Sequence, residues 1–126
     1  MTKLTVRIDL AEDAAMGPGK ARLLEMIEET GSIRSAAAGM DMSYRRAWLL
    51  LRDIQEIFGV PVIRTATGGR KGGGTGLTEA GRQIVKCYRQ IESKASRATA
   101  TQMRTLSEIS CKTRRSSGRP KIGKRL

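Results

Sequence analysis

The chain has 126 residues, 39% of them hydrophobic, and its 24 Lys and Arg against 12 Asp and Glu give a formal charge of +12. That length fits one domain with one modest core, since domains usually run to about 100–150 residues. Histidine is absent and the two cysteines, Cys87 and Cys111, offer no disulfide framework, which excludes Ser-His-Asp and Cys-His catalysis and nearly all zinc sites.

No enzyme activity, metal or cofactor is therefore expected. No apolar run approaches the roughly 20 residues that cross a bilayer. Residues 1–10 alternate charged and apolar side chains, unlike a secretory signal. The expectation is a cytoplasmic protein without a membrane partner. A pI near 10.7 points to a polyanion.

The charge is unevenly spread. Residues 1–93 hold 14 basic and 11 acidic side chains, whereas residues 94–126 hold ten basic ones and only Glu108. Within the body, residues 33–78 carry +4 and residues 1–32 carry −2. A positive segment inside a nearly neutral body is either one face built for an anion or an ordinary solvated surface.

Along the chain, Lys3 to Leu10 alternates, with Leu4, Val6, Ile8 and Leu10 on one face, and predicts a half-buried strand. After the break at Met16-Gly17-Pro18-Gly19, Lys20 to Thr30 has helical spacing and ends at Gly31, a left-handed cap. Ser32 is a good N-cap for a short alanine-rich helix over Ile33 to Met40. Asp41 tolerates the left-handed conformation of a tight turn. A third helix runs from near Ser43 to Phe58 and stops at Gly59. At about 100° per residue, Ala47, Leu50, Leu51, Ile54 and Phe58 form its core stripe. Arg45, Leu49, Arg52 and Glu56 lie opposite. Trp48 falls at the edge of the stripe, and with Phe58 it is expected to pack in the core rather than stack on bases. Leu49 either touches a thymine methyl or is simply exposed.

Val62 to Thr65 reads as a strand, followed by six glycines between Gly68 and Gly76 around Arg70 and Lys71. A P-loop is excluded, because Lys71 is followed by glycines rather than Ser or Thr. Thr78 caps a long helix in which Ile84, Tyr88, Ile91 and Ala95 recur at three- and four-residue intervals. That stripe is more than one small domain needs and suits burial against a symmetry mate. Past Leu106 the apolar pattern fades. The expected organisation is a domain over 1–106, with its dimerisation helix at about 78–106, and a disordered basic tail over 107–126.

Ser32 to Leu51 carries the chemistry. Two short helices meeting at a tight turn, with Ala36, Ala37 and Ala38 allowing a close crossing, form a helix-turn-helix. Its second helix offers its N-terminal residues to the major groove of DNA. Those residues are Ser43, Tyr44, Arg45 and Arg46, with Arg52 further along the outward face. Hydroxyls and first-turn amides suit phosphate, and arginine can take guanine O6 and N7 as a pair. The glycine-rich loop makes a wing whose Arg70 and Lys71 would meet the backbone or minor groove. The fold class expected is mainly α with a small β wing, a winged helix-turn-helix with a long C-terminal dimerisation helix.

Gly19 to Ile91 resembles the N-terminal winged-helix domain of the ModE family of molybdate-responsive regulators. More distantly it resembles the DNA-binding domain of LysR-type regulators. The motifs are Ser43-Tyr44-Arg45-Arg46-Ala47-Trp48, the wing from Thr67 to Gly74, and Leu77-Thr78-Glu79-Ala80-Gly81. The resemblance implies a bacterial, homodimeric, sequence-specific transcriptional regulator on double-stranded DNA, dimerising through its last helix. In ModE the domain is followed by paired β-barrels that bind molybdate, whereas this sequence ends in a basic segment, so no small-molecule ligand is expected. The alternative function is a sequence-indifferent, nucleoid-type architectural protein relying on its tail. A weaker one is an adaptor for an acidic protein or an anionic membrane.

Overall fold

The backbone obeys its caps. In the computed structural model, which describes residues 2–66 and 74–117 with side chains through Cys111, helix α1 (Pro18–Thr30) starts on a proline and ends at Gly31, whose φ of 73° is left-handed. Helix α2 (Ile33–Gly39) is capped by Ser32, whose Oγ accepts the Ser35 N–H at 3.0 Å. Helix α3 (Tyr44–Phe58) is capped likewise by Ser43 and closed by left-handed Gly59. Between α2 and α3 the turn is made by Asp41 at φ 54°. The Met42 N–H donates back to the Ala37 carbonyl at 3.0 Å.

Two antiparallel strand pairs flank these helices. Strands β1 (Ile8–Ala11) and β2 (Ala14–Met16) form a hairpin turning at Asp13, φ 58°. The expected single strand over Lys3 to Leu10 is thus corrected to a shorter strand and a hairpin. An irregularity between Asp9 and Ala11 breaks the alternation, so Val6 and Ile8 pack on the core while Leu10 is 50% exposed. Strands β3 (Ile63–Ala66) and β4 (Gly74–Leu77) pair from Ile63↔Leu77 to Ala66↔Gly74 and form the base of the wing. Helices α4 (Glu79–Ala98) and α5 (Ala100–Ser117) follow. This is a winged helix-turn-helix, mainly helical with a small β wing.

Thr5–Glu92 make one compact unit, and Met1–Leu4 with the chain from Ser93 onward make another. In the first, Leu23, Leu24 and Ile27 of α1, Ala36 and Ala37 of α2, and Ala47, Leu51 and Ile54 of α3 are buried together with Val62, Leu77 and Tyr88. Burying one such large aliphatic side chain contributes about 1.5–3 kcal/mol. The alanines let the helices cross closely.

The root of the wing is fastened by polar contacts. The Thr75 N–H donates to the Gly31 carbonyl at 2.9 Å, and the Thr78 N–H to the Val62 carbonyl at 3.0 Å. The Val62 N–H donates to Gln55 Oε1 and the Thr78 hydroxyl to the Pro61 carbonyl. Thr78 Oγ1 also accepts the Gly81 N–H at 3.0 Å and so caps α4. A Cβ at Gly81 would collide with the Val62 carbonyl oxygen. Gly81→Ala is therefore expected to cost about 1–3 kcal/mol in urea unfolding despite alanine's better helix propensity. Gly19→Ala, with open space around it, is the control; equal midpoints for the two would refute this close packing.

The long last helix is two helices. Thr99 interrupts it, its hydroxyl donating to the Ala95 carbonyl at 2.8 Å, a back-bond that bends helices. α5 reaches Ser117, so residues 107–117 are helical where a disordered tail was expected. No glycine or proline stands between Gly81 and Gly118 to stop a helix there. The rest of that tail, 118–126, and the wing residues Arg70 and Lys71 lie outside the described residues.

Candidate nucleic-acid interface

Helix α3 divides cleanly by exposure. Ala47, Leu51 and Ile54 are buried, while Ser43, Tyr44, Arg45, Arg46, Leu49 and Arg52 are exposed. The Ser43 Oγ accepts the Arg46 N–H at 3.1 Å, which leaves its hydroxyl hydrogen to donate outward. The first-turn amides of Tyr44 and Arg45 have no carbonyl within the helix, so this end attracts a phosphate oxygen. Among the described residues Arg45 and Arg46 have no carboxylate partner, whereas Arg52 Nε lies 4.0 Å from Glu56. The turn and the caps put Ser43 at the N-cap of α3 and Tyr44, Arg45, Arg46 and Arg52 on that helix. Leu49 is 42% exposed.

One placement on α3 differs from the sequence reading, and one neighbour is new. Trp48 is not packed in the core: it is 43% exposed, and its ring stands nearly perpendicular to that of Tyr44, centroids 6.2 Å apart. It sits on the flank of the stripe, where no described element buries it. Phe58 is partly buried against the core, in agreement with its position on the stripe. Arg34 of α2 was not anticipated. Its guanidinium lies 4.3 Å above the Tyr44 ring, a pairing set by the turn between two helices and invisible in either helix alone.

Among the residues expected at a dimer contact, Ile91 is 44% exposed and Ile84 half-buried against the core. Ala95 is half-buried too. Tyr88 is a correction. It is 2% exposed, and its hydroxyl donates to the Val6 carbonyl at 2.7 Å. The N-terminal segment reaches Tyr88, so Tyr88 belongs to its own unit's core. Burial, reinforced by the Glu92 carboxylate, raises its phenol pKa.

Behind the interface, two carboxylates of α1 hold α4 and the wing. Glu25 takes a two-pronged hydrogen bond from Arg89, both contacts at 2.9 Å, and Arg89 also donates to Glu92. Glu28 accepts the Leu77 N–H and Arg82 Nε, each at 2.8 Å. The Arg89 bonds lower the Glu25 pKa against an opposing effect of burial, and the Leu77 amide followed by Arg82 lowers that of Glu28. Carboxyls depressed in the fold stabilise it above their ordinary value and lose that contribution as pH falls through the lowered values. Thermal melts should therefore weaken as pH drops below about 4.5, the ordinary value. With no histidine present, DNA affinity should stay flat between about pH 6 and 8. A histidine-like step in that range would contradict this account.

Residues 19–82 match a family described as bacterial regulatory helix-turn-helix protein, lysR family. The chain belongs to the LysR-type helix-turn-helix family. The matched stretch runs from α1 through the wing into the first turn of α4, the elements that carry the candidate interface described above. The chain is also 36% identical over 110 residues to the molybdenum transport protein ModE of Azotobacter vinelandii, covering 86% of this chain and 41% of that protein. To the transcriptional regulator ModE of Haemophilus influenzae it is 34% identical over 91 residues, 72% of this chain and 36% of the relative. To the DNA-binding transcriptional dual regulator ModE of Escherichia coli K12 it is 29% identical over 96 residues, 74% and 37% of the respective chains. This LysR-type chain thus spans well under half the length of these ModE relatives.

Proposed function

We propose that this chain is a sequence-specific, DNA-binding transcriptional regulator that works as a homodimer in the cytoplasm, on a two-fold symmetric site. The observation that carries the reading is Arg45 and Arg46, exposed and without carboxylate partners among the described residues, on the first turn of a capped helix-turn-helix second helix. Arginine there reaches guanine O6 and N7 as a bidentate pair, while the Ser43 hydroxyl and first-turn amides take a phosphate. Arg70 and Lys71, which stand between β3 and β4 in the sequence, supply the cations for the flanking backbone in this reading. The E. coli relative's description as a DNA-binding transcriptional dual regulator supports the same reading.

For the dimer, support comes from an apolar groove lined by Ile8, Leu10, Phe58, Ile84, Cys87 and Ile91. Leu10 and Ile91 are half exposed there, and a second copy would cover them. Tyr88, being in the core, contributes only by shaping that face.

The decisive experiment is footprinting on the upstream DNA of the protein's own gene, with Arg45→Ala as the informative variant. The protein should protect a defined palindrome. Arg45→Ala should cost about 1–3 kcal/mol on it and relax the preference at one base position. Uniform loss on specific and random DNA would demote Arg45 to a phosphate contact. Smeared protection without a palindrome would overturn sequence-specific regulation in favour of architectural binding.

A further inference from the structure

We infer that Trp48 is a specificity-determining residue, an apolar reader of thymine 5-methyl groups in the major groove, held in place by Tyr44 and Arg34. The inference rests on the DNA-binding reading above and extends it to a residue whose sequence position argues for the core.

Large aromatic side chains usually bury themselves in small domains, because each removes a large apolar area from water. Tyr44 and Trp48 do not: they are 40% and 43% exposed on consecutive turns of α3. Their rings meet edge-to-face at 6.2 Å, and Arg34 closes the row by lying over Tyr44. Three side chains from two helices are thus ordered against one another on a surface that no described element buries. Such mutual support reduces the rotamer freedom that Trp48 would otherwise lose on binding, so the indole is presented as a fixed apolar edge.

What it meets follows from its neighbours. Trp48 lies one turn along from the helix end that binds phosphate and on the flank of the face that carries Arg45 and Arg52. A helix seated by that face in the major groove brings its flank against base edges. The apolar group displayed there is the C5-methyl of thymine. Arginine reads guanine, and an exposed indole has no match among the donors and acceptors except through its single N–H. Arg34, stacked on Tyr44, adds charge beside the backbone. An apolar protein partner would suit exposed rings, but it would not suit Arg45 and Arg46 on the same helix, which have no carboxylate partner among the described residues.

The test uses the full chain. A preferred duplex is first selected from random DNA, and each thymine in it is then replaced singly by deoxyuridine, which deletes the methyl and keeps the pairing. The wild-type protein should bind at least one deoxyuridine duplex about fourfold more weakly, the worth of one buried methyl-sized group. Trp48→Ala should bind the thymine duplex more weakly and lose that fourfold difference at the same position, while Arg45→Ala keeps it. Trp48 is 43% exposed and is not a member of the unit's buried cluster, so Trp48→Ala should melt close to the wild type. Trp48→Phe should retain part of the discrimination. A preferred duplex with no deoxyuridine effect, or an effect unchanged in Trp48→Ala, would overturn this inference and leave DNA recognition standing. A chain that selects no preferred duplex would sink the DNA-reading function and this inference with it.

Discussion

Tyr88→Ala should lower the unfolding free energy by about 3–5 kcal/mol, the range for truncating a fully buried aromatic side chain. The ring is 2% exposed, and its hydroxyl reaches the Val6 carbonyl at 2.7 Å. The substitution therefore opens a cavity under the N-terminal segment and removes the bond that ties it down. Small domains are stable by only about 5–15 kcal/mol in all, so the loss takes a large share. Tyr88→Phe keeps the ring and deletes the bond, and should cost nearer 1 kcal/mol. Denaturant titrations at two protein concentrations separate this from the interface role suggested by helical spacing. A core residue gives a loss independent of concentration. An interface residue gives one that shrinks as the protein is concentrated.

The same residue shows where periodicity stops being informative. Ile84, Tyr88, Ile91 and Ala95 share a helix face whichever surface covers them, so spacing identified the face correctly and its occupant only in part. The segment around Val6 covers Tyr88, and whether a distant strand reaches a helix is a tertiary matter that no local window contains. Trp48 errs in the opposite direction. It lies at the margin of the α3 stripe, where a few tens of degrees decide between core and solvent, and no described element buries it.

Capping and turn chemistry, by contrast, act within four residues and were readable. Ser32 and Ser43 accept from the third amide onward, Gly31 and Gly59 close their helices in the left-handed region, and Asp41 makes the turn. These positions fix the helix-turn-helix, which is why Ser43, Tyr44, Arg45 and Arg46 were identifiable as its exposed head. The hairpin of β1 and β2 left a weaker trace, since Ala11 to Ala15 holds no glycine and only Asp13 to permit its turn. The helical extent of α5 is hidden because its serines and charges over 107–117 resemble a solvated tail, although arginine, lysine and glutamate are all good helix formers.

Charge beyond that helix leads to the second large effect. Ending the chain after Ser117 keeps α5 and removes Arg119, Lys121, Lys124 and Arg125. Each cation that neutralises a phosphate releases condensed counterions and adds about 0.9 to the slope of log affinity against log salt. Four such contacts account for roughly a hundredfold of the affinity lost between about 50 and 200 mM salt. The truncated protein should therefore bind more weakly at low salt on every duplex, and its affinity should fall less steeply as salt is raised. Phosphate contacts carry no base code, so the ratio between preferred and random DNA should stay where it was. That separates these residues from Arg45 and Trp48, whose loss is expected to change the ratio. Titrations of both duplexes across the salt series, with circular dichroism to confirm that α5 persists, measure the two quantities independently. An unchanged slope would remove these four cations from the interface. A lost preference at retained affinity would mean that they read bases, and that the recognition helix does not act alone.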